Sequence, residues 1–456
     1  MATYYIRADG TSTKSGATDP TSSSTSMSPT TFNAATFEAG DVVVFSGRGG
    51  TITTQVIIPS SGSDDSNRIV YRGESDHIPT LNHDVLSLSC SKSYVDIDDL
   101  NITGGTSGAE FSGTGVGIRT HDLTFFGSVN QSLQHLNTAH VDHYNLTTSG
   151  AVDEGLSMHD SPTVRVFGGS ISGHNGINWV GTGSIELYDC SIQAENSAGY
   201  AIQPSATSYN FKAHRCLIIE TTGSTKRAID FNAAGNVEFV NCVFRNLGTT
   251  DYYLLLRSSL TTARLMNCVF YSGSITGAVV FNQLSTGIYK NNIFHTTTSG
   301  SGKGFYSSSG VDKTCYYLSG STYYGTTYTT SDPMLVNPTS GDYHLQSGSP
   351  CRSIGADLSA YFTVDIDGET RTVPWDIGAD QYIEGGRLQT CYRFRNDDGS
   401  ETSATWMESE NTVITKPADS DIRLRLSLES QGNPAPKNLQ LEYRRVGDVD
   451  WKKVTL

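Results

Sequence analysis

The sequence has few of the residues that build helices and no hydrophobic run that would cross a membrane. No apolar stretch reaches the roughly 18 residues that a transmembrane helix requires, so we predict no membrane span. No segment of about ten or more residues has the periodicity of an amphipathic helix, which excludes ankyrin, tetratricopeptide and most leucine-rich arrays. Charged residues make up only 17% of the 456 positions, whereas Gly is abundant at 46 residues. This composition is typical of short strands and turns.

Positive charge is scarcer than negative charge. The chain carries 31 Lys and Arg against 46 Asp and Glu, for a net charge of −15 at pH 7. Because the phosphate backbone of a nucleic acid binds to basic surfaces, this balance predicts no nucleic-acid partner. An acidic glycan is still compatible with it, since a local cationic groove can hold one.

The chain has only eight cysteines, and four of them reveal an internal repeat. These four are separated by 26 residues each and end similar phrases: Cys190, Cys216, Cys242 and Cys268. The phrase recurs at five further positions: Asn292, Gly169, Tyr144, His121 and Leu100. An internal period of this length, built from short segments that alternate apolar and polar residues, predicts a parallel β-helix.

The residue four positions before each repeat marker alternates in charge. Over five successive coils these residues are Arg165, Glu186, Lys212, Glu238 and Arg264. Neighbouring strands lie ~4.8 Å apart, so opposite charges would face each other in a favourable cross-strand pairing. We interpret this column as a solvated structural face. The marker cysteines are predicted to form a buried column of thiols, with coil-to-coil disulfides as the alternative.

Motifs at both ends of the repeat region resemble a known superfamily. The motifs are Tyr4-Tyr5-Ile6-Arg7-Ala8-Asp9-Gly10, Ala39-Gly40-Asp41-Val42-Val43, Arg68-Ile69-Val70-Tyr71-Arg72-Gly73, Asp365-Ile366-Asp367-Gly368, Arg371 and Trp375-Asp376-Ile377-Gly378-Ala379-Asp380. They are similar to the opening and closing segments of the pectate-lyase-like β-helix superfamily, which includes alginate- and chondroitin-degrading lyases. The resemblance implies an all-β fold, a right-handed parallel β-helix, and a polysaccharide as the substrate. The motif phrases of well-known alginate lyases and polygalacturonases are missing, so no particular sugar is implied.

We predict three regions along the chain. Residues 1–50 form an N-terminal strand and cap, 51–383 the right-handed parallel β-helix, and 384–456 a small C-terminal β-rich module of the fibronectin-like sandwich type. The module is shorter than the ~100 residues typical of such sandwiches, and its predicted role is attachment or assembly. The opening residues lack the features of a signal peptide. We therefore predict an extracellular or virion-associated protein with no signal peptide in this chain.

The densest group of polar residues predicts the functional site. The phrase Asp153-Glu154-Gly155-Leu156-Ser157-Met158-His159-Asp160 is followed one coil later by a second phrase that contains His174 and Asn178. Strand alternation turns Leu156 and Met158 inward and Ser157 and His159 outward. Alignment of the coils places His159 in one row with Val180, Gln203 and Asp230. Lys226 and Arg227 are predicted to lie at the rim of this row.

These residue types fit two kinds of polysaccharide cleavage. For β-elimination, Lys226 or Arg227 would neutralise the uronate, and His159 or His174 would act as the base. Asp153 and Glu154 offer an alternative, because they could hold calcium for the same task; no other metal ligand is assigned.

For hydrolysis, two carboxylates are needed ~5–9.5 Å apart. The candidates are Asp153, Glu154, Asp160 and Asp230. Residues in one row are ~5 Å apart on neighbouring coils, so this geometry is also predicted to be reachable. Asn178 and Gln203 are predicted to bind substrate.

The function that we favour is therefore an extracellular polysaccharide-degrading enzyme, a lyase ahead of a glycoside hydrolase, acting on an acidic polysaccharide or a cell-surface glycan. The alternative is a non-catalytic carbohydrate-binding adhesin or tail-spike-like protein. Paired tyrosines such as Tyr316-Tyr317 and Tyr323-Tyr324 favour that alternative, since aromatic rings stack on sugars. Tyr252-Tyr253 is a third pair of the same kind.

Overall fold

The computed structural model of the protein describes most of the chain. The described residues are 1–127, 130–137, 140–161, 163–195, 199–220, 227–284, 287–296, 303–305, 310–318, 323–383, 387–396, 398–400, 403–412, 414, 423–430, 442–443 and 452–453. Within these ranges no helix is long and apolar enough to span a bilayer. By their internal contacts the residues separate into two compact units, Met1–Gln381 and Tyr382–Leu456.

The first unit consists of short strands that follow one another around successive coils. In chain order they are β1 (Thr3–Arg7), β2 (Val42–Ser46), β3 (Val56–Ile57), β4 (Ile69–Gly73), β5 (Thr80–Leu81), β6 (Leu86–Cys90), β7 (Val95–Asp98), β8 (Asn101–Thr103), β9 (Ser107–Ser112), β10 (Ile118–His121), β11 (Thr124–Phe126), β12 (Gln131–Leu136), β13 (Val141–Ser149), β14 (Glu154–His159), β15 (Val164–Gly173), β16 (Asn175–Tyr188), β17 (Ser191–Ala194) and β18 (Ile202–His214). The later ones are β19 (Leu217–Glu220), β20 (Arg227–Phe231), β21 (Ala234–Val240), β22 (Val243–Leu256), β23 (Thr262–Met266), β24 (Val269–Asn282), β25 (Ile288–Lys290), β26 (Ile293–Thr296), β27 (Lys303–Phe305), β28 (Val311–Asp312), β29 (Thr314–Tyr317), β30 (Tyr328–Thr329), β31 (Leu335–Asn337) and β32 (Asp342–Leu345). Five short helices accompany them: α1 (Pro29–Asn33) and the 3₁₀ turns Lys14–Gly16, Ser23–Thr25, Gly47–Gly49 and Pro338–Ser340.

Parallel pairing between coils arranges these strands in three faces. Sheet A contains β1, β2, β4, β7, β10, the first parts of β13 and β15, the last parts of β16 and β18, and β21, β23, β25 and β28. Sheet B follows it in each coil, from β5 and β8 to β29 and β30. Sheet C comes third and contains β3, β6, β9, β12, β14, the first parts of β16 and β18, β20, the last parts of β22 and β24, and β27. The predicted all-β parallel β-helix is thereby confirmed.

One residue in left-handed conformation makes the corner between sheets A and B in successive coils. These residues have φ between 50° and 58°: Asp99, Asp122, Asn145, Asp189, Arg215, Asn241, Asn267, Asn291 and Lys313. Asn and Asp tolerate this conformation best among residues with a side chain, and they occupy seven of the nine positions. Seven of the nine predicted marker residues come directly after this corner, which explains the regular repeat. The prediction is wrong by two residues for His121 and Tyr144, which come directly before the corner, where Leu123 and Leu146 hold the equivalent positions.

The predicted column of thiols is present. Pairing of Ser191 with Leu217, and of the following coils in the same register, stacks Cys190, Cys216, Cys242 and Cys268. All four are free thiols with at most 2% exposure. Burial raises the pKa of Cys216 and Cys242 well above the ordinary value, so they stay protonated and pack as small apolar groups.

The alternating column of charges is confirmed, and it extends further than the sequence predicted. Eight residues of sheet A pair in strict alternation: Asp96, Arg119, Asp142, Arg165, Glu186, Lys212, Glu238 and Arg264. Close contacts join Arg165 to Asp142 at 2.7 Å, Lys212 to Glu186 at 3.0 Å and Arg264 to Glu238 at 2.9 Å. A hydrogen bond with His214, aided by Arg264, lowers the pKa of Glu238 to about 2. The column therefore fixes the register of sheet A from outside.

A chain of polar side chains lies inside the helix. His143 Nδ1 is 2.7 Å from Thr120 Oγ1, and His143 Nε2 is 3.0 Å from His135 Nε2. Neither imidazole has any exposed surface, and His135 stacks on Phe111 with ring centroids 5.4 Å apart. Burial lowers the pKa of His143 to about 3 and that of His135 far below its ordinary value. Both imidazoles are therefore neutral at physiological pH.

A closing segment, residues 333–381, covers the corner between sheets A and B in the last coils. It contains β31 and β32, which pair antiparallel. The corner asparagines reach into it: Asn267 Nδ2 donates to the carbonyls of Asp376 and Gly378, and Asn291 Nδ2 donates to that of Ala356. The regular corner thus also serves as a docking edge for the end of the helix.

The described residues of the second unit contain two antiparallel pairs of strands. β33 (Arg387–Arg395) pairs with β34 (Arg423–Ser430), and β35 (Glu442–Tyr443) pairs with β36 (Lys452–Lys453). Alternating segments of the sequence are strands here, as expected for a β-rich module. The sandwich type and the boundary at residue 384 stay predictions.

Candidate functional site

A row of polar side chains points outward from sheet C. Register places seven of them on successive coils: Ser89, Glu110, Gln134, Ser157, Asn178, Gln203 and Asp230. The last step follows from the pairing of Ile202 with Ile229, which puts Gln203 beside Asp230. The next position is Leu255, which is apolar and 4% exposed. We call these seven residues the polar row.

The side chains around His159 point inward and outward as predicted. The predicted row of neighbouring residues that contains His159 is wrong in part. Leu156 and Met158 are fully buried, and His159 is partly exposed. His159 pairs with Val180, as expected, and Val180 then pairs with Ser205. Gln203 and Asp230 belong instead to the polar row, one outward position earlier. Because side chains alternate along a strand, that difference of two residues separates His159 from them by ~7 Å along the strand direction.

His159 still lies at the edge of the polar row. Its Nε2 atom is 3.4 Å from the Ser157 hydroxyl, and its carbonyl accepts a hydrogen bond from Ser161. Ser157 is only 1% exposed, because its neighbours on both sides cover it. This arrangement leaves the imidazole as the accessible titratable group of β14.

Glu154 has one carboxylate oxygen that is not hydrogen bonded. Asn178 Nδ2 donates to Oε1 at 3.1 Å, while Oε2 is buried and has no partner. The bond carries the Glu154 side chain from the start of β14 towards the polar row. A buried carboxylate oxygen without a donor is costly.

Two of the predicted carboxylates are already engaged. Asp160 accepts the Thr182 backbone N–H at 3.0 Å and lies against Gly181, whose φ is 85° and where an added Cβ would overlap the carboxylate. Asp230 forms a two-point ion pair with Arg257, at 2.8 and 2.7 Å. Asp160 is thus a turn cap, and Asp230 carries its own counter-charge.

Two of the four predicted carboxylates lie too far from Glu154 for the geometry of a glycoside hydrolase. Asp230 lies three coils away from β14, or ~14 Å at the usual strand spacing. Asp160 lies beyond the far end of β14 from Glu154, roughly 20 Å along the strand. The expectation of a ~5–9.5 Å separation is therefore wrong for the pairs of Glu154 with Asp160 and Asp230. Asp153 lies in the turn directly before Glu154, and a pair of these two carboxylates stays a prediction.

The other residues predicted for the site either lie near sheet C or fall outside the residues that the structure describes. His174 is partly exposed and directly precedes β16. The backbone of Arg227 opens β20, but its side chain lies outside the described residues, as does all of Lys226. Asp153 is exposed in the turn before β14, and among the described residues it does not join Glu154 in a group of metal-binding geometry. The structure thus gives no support to calcium at this position.

Sheet A presents a second depression, an open groove of about 470 Å³. Its lining comes from four coils: Ser184, Glu186, Asn210, Phe211, Lys212, Asn236, Val237, Glu238, Thr262 and Arg264. The polar groups bond one another, as in Asn236 Nδ2 to Asn210 Oδ1 at 2.7 Å. Because neighbouring charges neutralise each other there, the groove has no excess of positive charge for a polyanion.

The aromatic residues of sheet A do not offer ring faces to a sugar. His121, Tyr144, Phe167 and Tyr188 stack directly on each other, with centroids 4.7 to 5.2 Å apart and planes within 14°. Of the predicted tyrosine pairs, Tyr316 is fully buried, and Tyr323 and Tyr324 pack against the core. Tyr317 is 37% exposed, and the side chains of Tyr252 and Tyr253 lie outside the described residues. Among the described pairs only Tyr317 therefore supports the aromatic argument for a binding protein.

Sequence reasoning missed Gln134 and Arg257. Gln134 extends the polar row towards the N-terminus. It could have been recognised from the sequence, because it precedes Ser157 by one coil, as Ser157 precedes Asn178. Arg257 could not be recognised, because its partner Asp230 lies one coil earlier.

Comparison with known proteins places the fold. No protein-family model and no curated protein matches the sequence. Solved structures do match: pectate lyase Pel9A has a TM-score of 0.51 and 14% identity over 84% of this chain and 97% of that chain. XylC, in complex with xylose, has a TM-score of 0.53 and 7% identity over 84% and 98%. A rhamnogalacturonan lyase aligns with a TM-score of 0.37, 12% identity and coverage of 74% and 91%. At these identities the similarity establishes the fold, a pectate-lyase-like parallel β-helix.

Proposed function

We propose that this protein is a polysaccharide lyase and that its substrate lies along the polar row of sheet C. The observation that carries the proposal is the row itself, which holds a hydrogen-bonding side chain in every coil from Ser89 to Asp230, each of them partly exposed except Ser157. Seven coils at ~4.8 Å each span the length of several sugar units. An extended polymer with hydroxyl groups on every unit fits such a repeat better than a compact ligand does.

Elimination is favoured over hydrolysis because of what surrounds the row. Asp160 and Asp230 lie too far from Glu154 to form a glycosidase pair with it, whereas the His159 imidazole is partly exposed at the edge of the polar row, where it can accept a proton from a bound substrate. In the proposed reaction His159 removes the proton from the carbon next to the uronate carboxyl group, a C=C double bond forms as the bond to the leaving oxygen breaks, and that oxygen takes up the proton from the imidazolium. Glu154 and Asn178 bind hydroxyl groups of the bound chain.

Product analysis on a panel of acidic and neutral polysaccharides tests this function. Elimination creates an unsaturated uronate, so we expect ultraviolet absorbance to rise together with reducing ends for at least one uronate-containing substrate. Reducing ends without absorbance would mean hydrolysis and would overturn the mechanism. Saturable binding without either product would favour the alternative, an adhesin or tail-spike-like protein that uses the same face. An extracellular or virion-associated location belongs to the proposal in either case.

A further inference from the structure

The closing segment contains a mixed group of histidine and carboxylate side chains. Within the described residues, one set of His, Cys, Asp and Glu side chains brings three ligand atoms within 4.8 Å of one another: His344, Asp367 and Asp380. The set lies on the closing segment and contains no residue of the polar row. Its function is therefore a question separate from polysaccharide cleavage.

Each of the three side chains is held in position. His344 lies on β32, where its Nδ1 is 2.6 Å from Asp342 Oδ1, and its Nε2 is 2.8 Å from Asp367 Oδ2. Asp380 Oδ2 accepts the backbone N–H of Leu345 at 2.9 Å. β32 and the two later loops therefore converge on the Nε2 side of the imidazole.

Asp380 indicates that the group is built for a cation. It is only 7% exposed, and within the described structure its side chain receives a single hydrogen bond, the one from Leu345. Among the described residues no donor bonds its other oxygen. The neighbouring cation, Arg371, directs its donors to the carbonyls of Gly378, Ala379 and Asp380 and to Asn241. Burial of Asp380 beside a second carboxylate is unfavourable unless a cation lies between them, which is either a protonated His344 or a bound metal ion.

The orientation of His344 is one that a metal-binding histidine adopts, although a protonated imidazole between Asp342 and Asp367 would also fit it. Metal-binding histidines commonly donate their other ring N–H to a carboxylate, which fixes the tautomer. The short contact between Nδ1 and Asp342 has this arrangement and leaves Nε2 facing Asp367 and Asp380. One imidazole nitrogen with two carboxylate oxygens suits Zn²⁺ and related first-row divalent ions, whereas Ca²⁺ and Mg²⁺ prefer oxygen ligands alone.

We infer that His344, Asp367 and Asp380 bind one divalent transition-metal ion, with Asp342 orienting the imidazole. The ion joins β32 to the loops around Asp367 and Asp380, so it acts as a staple for the closing segment. Further coordination positions are filled by water, because His344 and Asp367 are partly exposed. The site stabilises the end of the helix and takes no part in the reaction on sheet C.

Calorimetric titration of the full chain with ZnCl₂, after removal of metals with a chelator, tests this site. We expect one ion per chain and a rise in the unfolding temperature, since a ligand that binds only the folded state stabilises it. Asp367→Asn, at an exposed position, and His344→Asn are expected to abolish saturable binding. Asp342→Asn is expected to weaken it about 10-fold, as for other groups that orient a ligand.

His77→Asn provides the matched control. His77 also lies near a carboxylate, 3.9 Å from Glu74, but no third ligand joins that pair. Zinc binding is expected to be unchanged in this variant. Equal affinity in the wild type and Asp367→Asn, or no saturable binding by the wild type, would overturn the site. Retention of polysaccharide cleavage by metal-free protein is expected and separates this proposal from the proposed function.

Discussion

Replacement of Arg371 by methionine is expected to release the closing segment from the helix. Arg371 is 5% exposed and donates hydrogen bonds to three carbonyls and to Asn241 of the corner between sheets A and B. Its guanidinium also lies 5.4 Å from the Trp375 ring centroid. Removal of one partner from a buried charged network costs roughly 3–5 kcal/mol, because the acceptors stay buried without donors. This is the largest stability loss that we expect from a single substitution.

Hydrogen exchange and limited proteolysis measure this effect directly. We expect faster exchange and new cleavage sites within residues 333–381, while sheets A to C of the early coils keep their protection. Arg72→Met is the control, since Arg72 is exposed on sheet A and surface changes of this kind usually stay within about 0.5 kcal/mol. An unchanged closing segment in Arg371→Met would show that the network does not hold it.

Mild acid is expected to destabilise the helix through its two internal histidines. The folded-state pKa of His143 is about 3 and that of His135 is also far below normal. In the unfolded chain a histidine has a pKa near 6.5, so below about pH 6.5 the unfolded chain binds protons at these two residues. The folded chain does not bind them. The stabilisation is thus complete above about pH 6.5 and is lost as the pH falls further. At pH 5 the loss amounts to about 2 kcal/mol per imidazole, or about 4 kcal/mol for the pair.

Urea unfolding between pH 7.5 and 5 checks the size of this effect. The double variant His135→Leu, His143→Leu lacks both imidazoles, so its stability is expected to fall less steeply with pH than that of the wild type. The quantity to compare is the slope of the free energy of unfolding against pH. The absolute stability is not comparable, because the double variant also leaves Thr120 without its partner. His77→Leu removes an exposed histidine and is expected to keep the wild-type slope. Parallel slopes in the wild type and the double variant would contradict a neutral buried pair.

Sheet A could be predicted from the sequence because its corner is made by a single residue. In most coils a single left-handed residue separates sheets A and B, so the residues next to the corner keep a fixed spacing and the cysteines and charges recur in step. The predicted charge column stopped at Arg165, because the repeated phrase is harder to recognise in the coils nearer the N-terminus. In the structure Asp142, Arg119 and Asp96 continue the column.

Sheet C was harder to predict because the connections that precede it differ in length from coil to coil. No marker residue resets the register there, and β18 departs from the register of β16 at Gly181 and Thr182. The alignment therefore placed Gln203 and Asp230 in the row of His159, two residues away from their position. The pairing of Asp230 with Arg257 and of Asp160 with Thr182 depends on contacts between coils, which residue types alone do not reveal.

Turnover by two matched variants tests most directly the central claim that sheet C carries the chemistry. His159→Ala removes the proposed base from sheet C, and Lys212→Ala removes a cation that lines the groove of sheet A. We expect His159→Ala to lower kcat by at least about 100-fold, the usual contribution of a general base, with unchanged circular dichroism and unfolding temperature. Lys212→Ala is expected to keep wild-type turnover. Full activity in His159→Ala, or loss of activity in Lys212→Ala alone, would contradict the account.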